Sequence, residues 1–243
     1  MDYKKMKTLF TNGCSWTWGG GLHSKYSDDT LRNQITWPAQ LKSLMNFDTH
    51  VNLATGCGSN QRIVRTTLEW IWQQTPETLK NATAVIQWTE QSRYEYYYPK
   101  DTSNRFENYP DRWARVKTGV VISNPELLEK YNRDYTSLFQ VSQRRYKTYT
   151  DIEGLYRYLT ECEALASIFK SYNIKYYYWT YCGENFNIPD VYKQFLTRFN
   201  WLEPLKGVHN WNYDRIPNDN HPSELGHLQI AQYIKQGIDN ENN

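Results

Sequence analysis

Short apolar runs alternate with stretches of helical periodicity along most of this chain. The runs are β-branched or aromatic and end at glycine or polar residues, which predicts buried strands. In the stretches between them, apolar residues recur every three or four positions, which predicts amphipathic helices. The predicted strands are Thr8–Asn12, Val51–Leu53, Ala84–Trp88 and Ile174–Thr180, and the predicted helices follow Thr36 or span 63–71, 155–169, 191–199 and 223–238.

Strands that alternate with helices at this spacing predict right-handed crossovers and a parallel sheet covered on both faces. Ligands of such sheets bind beyond the carboxyl ends of the strands, where the strand order reverses. Three loops follow predicted strands, and we expect them at this edge: the turn at Ser15, the loop from Gly56 to Ser59, and Thr89 with Glu90.

Residues 91–150 interrupt this alternation. The segment follows the third predicted strand and is rich in tyrosine, tryptophan and arginine. An insertion of this length with many aromatic residues favours either a lid over a binding site or an interface with another subunit or a particle. We predict one domain over residues 1–243, with 91–150 as an insertion within it.

The amino-acid composition and net charge exclude several classes of function. The 243 residues suit a single core, and a formal net charge of +2 argues against a nucleic-acid partner. The 10 Trp and 21 Tyr supply rings that stack on sugar faces. The four cysteines lack metal-ligand spacing, and no signal peptide or membrane span is recognised, so we expect a cytoplasmic protein without metal or cofactor.

Candidate catalytic residues lie near both ends of the chain. Ser15 follows Gly13 at the end of the first predicted strand, and His221 lies in a polar loop before the last predicted helix. A serine hydroxyl is a weak nucleophile at neutral pH unless an imidazole accepts its proton. That imidazole in turn needs an acceptor on its other nitrogen. The two residues therefore predict nucleophilic catalysis.

Four segments together resemble the sequence blocks of the SGNH, or GDSL-like, hydrolase superfamily, and in particular its short variants in tailed phages. These segments are Gly13-Cys14-Ser15, Asn52–Asn60, Gln87–Glu90 and Asp219–Pro222. The resemblance implies a three-layer α/β/α fold with a flavodoxin-like sheet and hydrolysis of esters or O-acetyl groups. It also implies that Ser15 is the nucleophile and His221 its base.

The acid departs from the pattern of the superfamily. The acid of the superfamily commonly stands three residues before the histidine, where this chain has Asn218, and Asp219 stands two residues before it. We take Asp219 as the orienting acid; a turn that aimed its carboxylate away would leave a Ser-His dyad.

The oxyanion hole departs as well. Its expected backbone donors are the N–H groups of Ser15 and of Cys57 or Gly58, and Thr89 occupies the position of a third donor that is asparagine in the superfamily. Three further residues are expected near the substrate: Asn60, Arg93 and His23. Of these, Asn60 or Arg93 is an alternative to Thr89 as the third oxyanion donor.

The sequence thus predicts a serine esterase or deacetylase that acts on a small-molecule or glycan ester, with a carbohydrate as the favoured carrier. Two alternatives remain open at this point. One is a catalytically silent binding or structural module, such as a virion component, with the insertion as its interface. The other is an O-acyltransferase, which would use the same residues.

Overall fold

The computed structural model describes residues 6–22, 25–26, 28–97, 113–117, 140, 143–145, 147–180, 194–202 and 213–241. In chain order, the elements are β1 (Thr8–Asn12), α1 (Ser15–Trp18), a 3₁₀ helix (Gly20–Leu22), α2 (Asp29–Ile35), α3 (Trp37–Leu44), β2 (Thr49–Asn52), α4 (Asn60–Trp72), α5 (Pro76–Lys80), β3 (Ala82–Trp88), β4 (Arg93–Tyr97), β5 (Trp113–Lys117), α6 (Asp151–Ser171), β6 (Lys175–Thr180) and α7 (Glu224–Glu241).

The central sheet is parallel and has the strand order β2-β1-β3-β6. Beyond β6, the backbone of Tyr178 accepts a hydrogen bond from Leu202 N and donates one to Asn200 O, so residues 200–202 extend the sheet by a short fifth position. The chain moves from β1 outward to β2 and then returns to the other side of β1. The strand order therefore reverses between β1 and β3, which is where such folds bind ligands.

Helices cover both faces of the sheet. Neighbouring residues of each strand point to opposite faces, so each strand contributes to two apolar clusters. Phe10 and Ile86 pack with α4 and α6 on one face, whereas Leu9 and Val85 pack with α3 and α7 on the other. The helix side chains of the first cluster include Ile63, Trp70, Leu155, Leu165 and Phe169, and those of the second include Trp37, Leu41, Ile230 and Ile234. The predicted three-layer α/β/α fold is confirmed.

Two short helices are absent from the sequence-based prediction. Helix α2 lies where a loop was expected to lead directly to Thr36, and it begins where the Asp28 carboxylate accepts the Thr30 N–H at 2.7 Å. Helix α5 begins at Pro76, where the Thr75 hydroxyl accepts the Thr78 N–H. Both are too short to show a clear apolar repeat, so only their capping residues mark them.

The start of the insertion is a pair of antiparallel strands. Strands β4 and β5 pair from Arg93 with Lys117 to Tyr97 with Trp113. Strand β4 packs against α4, where Arg65 binds both carboxylate oxygens of Glu95, at 2.8 and 3.0 Å. The interpretation of 91–150 as a lid or interface concerns mostly residues outside the described part of the chain, and it stays a prediction.

Candidate active site

Ser15 lies at the carboxyl end of the central strand β1, as the first residue of α1. The turn is tight because Gly13 has no side chain: a Cβ atom there would lie 2.5 Å from Thr17 Oγ1 and 2.7 Å from Gln87 Oε1. Helix α1 ends after one turn at Gly19, whose φ of 84° suits glycine and whose N–H donates to Ser15 O. The sequence thus forces the chain to expose Ser15 at the edge of the sheet.

His221 reaches Ser15 from the far end of the chain. Its Nε2 atom lies 2.9 Å from Ser15 Oγ, although 206 positions separate the two residues. Its Nδ1 atom lies 2.6 Å from Asp219 Oδ1. Because an ionised carboxylate only accepts hydrogen bonds, Nδ1 carries the proton and Nε2 accepts the serine hydroxyl. The three residues form a continuous chain of hydrogen bonds.

A compact turn brings Asp219 to His221. The Asp219 N–H donates to Ile216 O at 3.1 Å, and the residues between are Pro217 and Asn218, the latter with a φ of 65°. Proline followed by a residue with positive φ is typical of a type II turn. Asn220 also has a positive φ, 43°. Asparagine tolerates this conformation better than other residues with a side chain, which lets the loop turn back within two residues.

Glycines 20 and 21 make room for the histidine. A Cβ atom on Gly20 would lie 2.9 Å from Ser15 Cβ and 3.3 Å from His221 Nε2. A Cβ atom on Gly21 would lie 2.5 Å from His221 Cβ and 2.6 Å from Ile216 Cδ1. The glycine run therefore serves close packing of the 3₁₀ helix against the loop that carries His221.

The backbone donors expected for an oxyanion hole are the N–H groups of Ser15 and of Cys57 or Gly58. Within the described residues, no hydrogen bond occupies the N–H of Ser15 or of Cys57. The N–H of Gly58 instead donates to Thr55 O at 3.2 Å and closes the turn. Of the two expected donors in this loop, Cys57 is therefore the one that remains available. Gly58 contributes space, because a Cβ atom there would lie 2.8 Å from Gly13 O.

Thr89 is fully buried just beyond the end of β3, and its hydroxyl has no hydrogen-bond partner in the structure. Its backbone is held by Asn60: the Asn60 amide donates to Thr89 O at 3.1 Å, and Thr89 N–H donates to Asn60 Oδ1 at 2.8 Å. Asn60 therefore holds the segment that carries Thr89.

Arg93 and His23 are the remaining predicted site residues. The guanidinium of Arg93 pairs with Glu90 at 3.2 Å, and the nearby Glu95 pairs with Arg65. These pairs connect β4 to the β3–β4 loop and to α4. His23 lies outside the described residues.

Three side-chain amides that we did not predict hold the serine turn; Asn12 and Gln87 are fully buried and Asn52 is partly buried. Asn12 accepts the Gly13 N–H at 2.9 Å and donates to Thr66 and Thr67 on α4. Asn52 donates to Thr17 O at 3.1 Å, and Gln87 contacts Cys14 and Thr17. Each amide stands at or near the end of a strand in an apolar run, which was the available sequence signal.

His227 is fully buried close to the site. Its Nδ1 atom accepts the Trp37 N–H at 3.2 Å, at the first turn of α3. Burial lowers the pKa of His227 to about 3, and the nearby His221 contributes to the same shift. His227 is therefore neutral at physiological pH and serves as a cap for α3, a role that the Thr36 hydroxyl does not take.

In the part of the chain that the structure describes, no group of three or more His, Cys, Asp or Glu side chains could hold a metal ion. Over the same residues, no helix combines the length and apolar character needed to cross a bilayer.

The architecture is a three-layer α/β/α fold that is shared by other solved structures. A solved structure titled as that of TesA has a TM-score of 0.52 with this chain at 11% identity, over 96% of this chain and 99% of that one. The lipase Lip_vut3 from a goat rumen metagenome has a TM-score of 0.49 at 10% identity, over 96% and 97% of the two chains. The comparison with curated proteins gives no match.

A family model matches residues 22–190, which is more than half of the chain. The chain therefore belongs to the family of unknown function DUF6071. The matched range contains the strands β2, β3 and β6, whereas Ser15 and His221 lie outside it on either side.

Proposed function

We propose that this protein is a serine hydrolase that cleaves an ester bond through an acyl-enzyme on Ser15. The proposal rests on one observation, the hydrogen-bonded series from Asp219 Oδ1 to His221 and from His221 Nε2 to Ser15 Oγ. Both distances are those of hydrogen bonds, so His221 can take the proton of Ser15 and Asp219 can orient the imidazole.

In the first half of the reaction, Ser15 Oγ attacks the carbonyl carbon of the ester while His221 Nε2 takes the hydroxyl proton. The charge of the resulting imidazolium is stabilised by Asp219. The tetrahedral intermediate then expels the alcohol: the bond between carbon and the leaving oxygen breaks, and His221 returns the proton to that oxygen. The acyl group remains on Ser15.

In the second half, His221 accepts a proton from water as the water oxygen attacks the acyl carbon. The bond to Ser15 Oγ breaks, the proton returns to that oxygen, and a carboxylic acid leaves. The side chain of His221 is 26% exposed, so water can approach the base.

The oxyanion of both intermediates needs donors that are already in place. We assign this role to the N–H groups of Ser15 and Cys57 and to the Thr89 hydroxyl. The support is that these groups have no other hydrogen-bond acceptor in the described structure and that the Asn60 amide fixes the Thr89 backbone.

We further propose an O-acetylated carbohydrate as the substrate. The support is compositional: 10 Trp and 21 Tyr in 243 residues provide rings for sugar faces and hydroxyls for sugar oxygens. Acetate release from O-acetylated monosaccharides, compared with release from a chromogenic acetate, tests this part separately from the reaction class.

A fluorophosphonate probe tests the reaction class directly, because it labels only an activated serine. We expect stoichiometric labelling of the full-length protein at Ser15, identified by mass spectrometry, and no labelling of Ser15→Ala. Ser43→Ala is the matched control, since Ser43 is an exposed helical serine bonded to Ala39 O. A folded but unlabelled protein would favour the silent binding module, and transfer of acetate to an added alcohol would favour the acyltransferase.

A further inference from the structure

A fully buried glutamine lies directly beneath the nucleophile turn. The side chain of Gln87, near the end of β3, has no exposed surface and makes three polar contacts with the turn. Its Oε1 atom accepts the Cys14 N–H at 3.3 Å and the Thr17 hydroxyl, and its Nε2 atom lies 3.4 Å from Cys14 Sγ. These partners stand immediately before Ser15 and two residues after it.

We propose that Gln87 is a positioning residue that sets the orientation of Ser15 for its reaction. The inference rests on the proposed function, because it concerns how the nucleophile is held. Gln87 contacts neither the Ser15 hydroxyl nor His221, and it acts through the backbone on both sides of Ser15.

The backbone fixes which way the amide of Gln87 points. A peptide N–H can only donate, so the atom that faces Cys14 N must be the carbonyl oxygen of the amide. The Thr17 hydroxyl must then donate to the same oxygen, and the amide nitrogen faces the Cys14 sulfur. Each partner thus has one role, and the turn has one arrangement that satisfies all of them.

Gly13 is required for this arrangement. A Cβ atom on Gly13 would lie 2.7 Å from Gln87 Oε1 and 2.8 Å from Gln87 Cβ, so only glycine lets the amide lie against the turn. From the other side, Asn52 at the end of β2 donates to Thr17 O at 3.1 Å. The first turn of α1 is therefore held by amides from both strands that flank β1.

Loss of the Gln87 amide would leave the buried Cys14 N–H and Thr17 hydroxyl without acceptors. The turn would then shift to find new partners, and it would move Ser15 Oγ and the Ser15 N–H together. A displacement of about 1 Å can cost on the order of a hundredfold in rate. We therefore expect lower kcat with little change in KM.

The test compares Gln87→Met with Gln61→Met. Gln61 is a matched control because its Oε1 atom also accepts a backbone N–H, that of Glu95 at 3.2 Å, but on β4. We expect Gln87→Met to lower kcat and the rate of fluorophosphonate labelling by about tenfold to a hundredfold. We expect Gln61→Met to leave both within about twofold.

A second variant, Gln87→Glu, gives a readout that a purely structural role would not change. A neutral carboxyl group has nearly the shape of the amide and still accepts the Cys14 N–H, but once ionised it places negative charge beside the oxyanion donor at Ser15. We expect a bell-shaped pH profile, in which the base-dependent rise of the wild type is followed by a fall as the introduced carboxyl ionises.

Hydrogen exchange at Cys14 N–H supplies a measurement that needs no activity. We expect protection in the wild type and in Gln61→Met, and faster exchange in Gln87→Met. Folded Gln87→Met with wild-type kcat and labelling rate would overturn the inference while leaving the proposed function intact. An unlabelled and inactive wild type would instead overturn the proposed function, and the inference with it.

Discussion

Asn60 and Thr89 are joined by two reciprocal hydrogen bonds, one from the Asn60 amide to Thr89 O and one from Thr89 N–H to Asn60 Oδ1. This pairing satisfies the Thr89 backbone without using its side chain. The Thr89 hydroxyl is buried and has no hydrogen-bond partner in the structure, so its removal breaks no hydrogen bond.

We predict that Thr89→Val lowers kcat by about a hundredfold, the usual cost of one lost oxyanion donor. Valine has nearly the same shape, and the removed hydroxyl makes no hydrogen bond, so the melting temperature should not fall. Steady-state kinetics and thermal unfolding measure the two effects.

Thr180→Val is the control for this variant. The Thr180 hydroxyl donates to Trp88 O at 3.3 Å, so its loss should cost about 1 kcal/mol of stability with unchanged kcat. Wild-type kcat in Thr89→Val would remove Thr89 from the oxyanion hole.

Exchanging a carboxylate for an amide at position 219 should lower kcat far more than the reverse exchange at position 218. Asp219→Asn would present an amide to His221 Nδ1 and favour the wrong tautomer, so we expect kcat to fall by up to about 10⁴-fold. Asn218→Asp, in the adjacent turn position, should change kcat by less than about threefold. Equal effects of the two substitutions would contradict the assignment of Asp219 as the orienting acid.

Gly21→Ala should move the histidine loop. The added Cβ would lie 2.5 Å from His221 Cβ, so the loop must shift, and we expect kcat and fluorophosphonate labelling to fall by at least about tenfold. Gly237→Ala is a suitable control, since its Cβ would meet only side-chain atoms of Leu202, Cδ2 at 3.1 Å and Cβ at 3.4 Å, and alanine favours the helix. Unchanged labelling of Gly21→Ala would show that this contact does not position His221.

The lowered pKa of His227 should make the folded protein less stable in acid. Its folded-state pKa of about 3 lies below the ordinary value of 6.5, so the unfolded chain binds the extra proton between these values. The contribution is fully present above pH 6.5 and is lost as pH falls towards 3, by at most about 1.4 kcal/mol per pH unit. Urea unfolding at pH 7 and pH 5 should show a smaller difference for His227→Asn than for the wild type.

The raised pKa of Glu161 should make the folded protein less stable as pH rises. Burial raises its pKa to about 8, so the folded protein holds a proton that the unfolded chain has released above 4.5. Stability from this group is present below pH 4.5 and is lost as pH rises towards 8. We expect Glu161→Gln to stabilise the protein at pH 8.5 more than at pH 4.5 in urea unfolding. An equal difference at both values would contradict the shift.

The sheet could be predicted because β1, β3 and β6 are almost entirely buried and therefore appear in the sequence as continuous apolar runs. The strand beginning at Thr8 has all five residues buried, and its bounds are as predicted. Helices α2 and α5 escaped prediction because five to seven residues are too few for a periodic signal.

The sequence was enough to predict the candidate nucleophile and base, but not the side chains that hold them in place. Ser15 and His221 are recognisable because each stands in a polar loop at a strand or helix end. The roles of Asn12, Asn52 and Gln87 depend on which strands are neighbours, and a single sequence does not give strand order. The commitment of the Gly58 N–H to Thr55 O likewise depends on local geometry that the sequence does not specify.

The turn through Pro217, Asn218 and Asn220 has a consequence for how such proteins can be found. Two asparagines with positive φ let Asp219, two residues before His221, reach the Nδ1 atom of its ring. The position of the carboxylate in space can therefore persist while its spacing along the chain changes. Searches that require a fixed interval between acid and base would pass over chains of this kind, whereas a search on side-chain geometry would retrieve them.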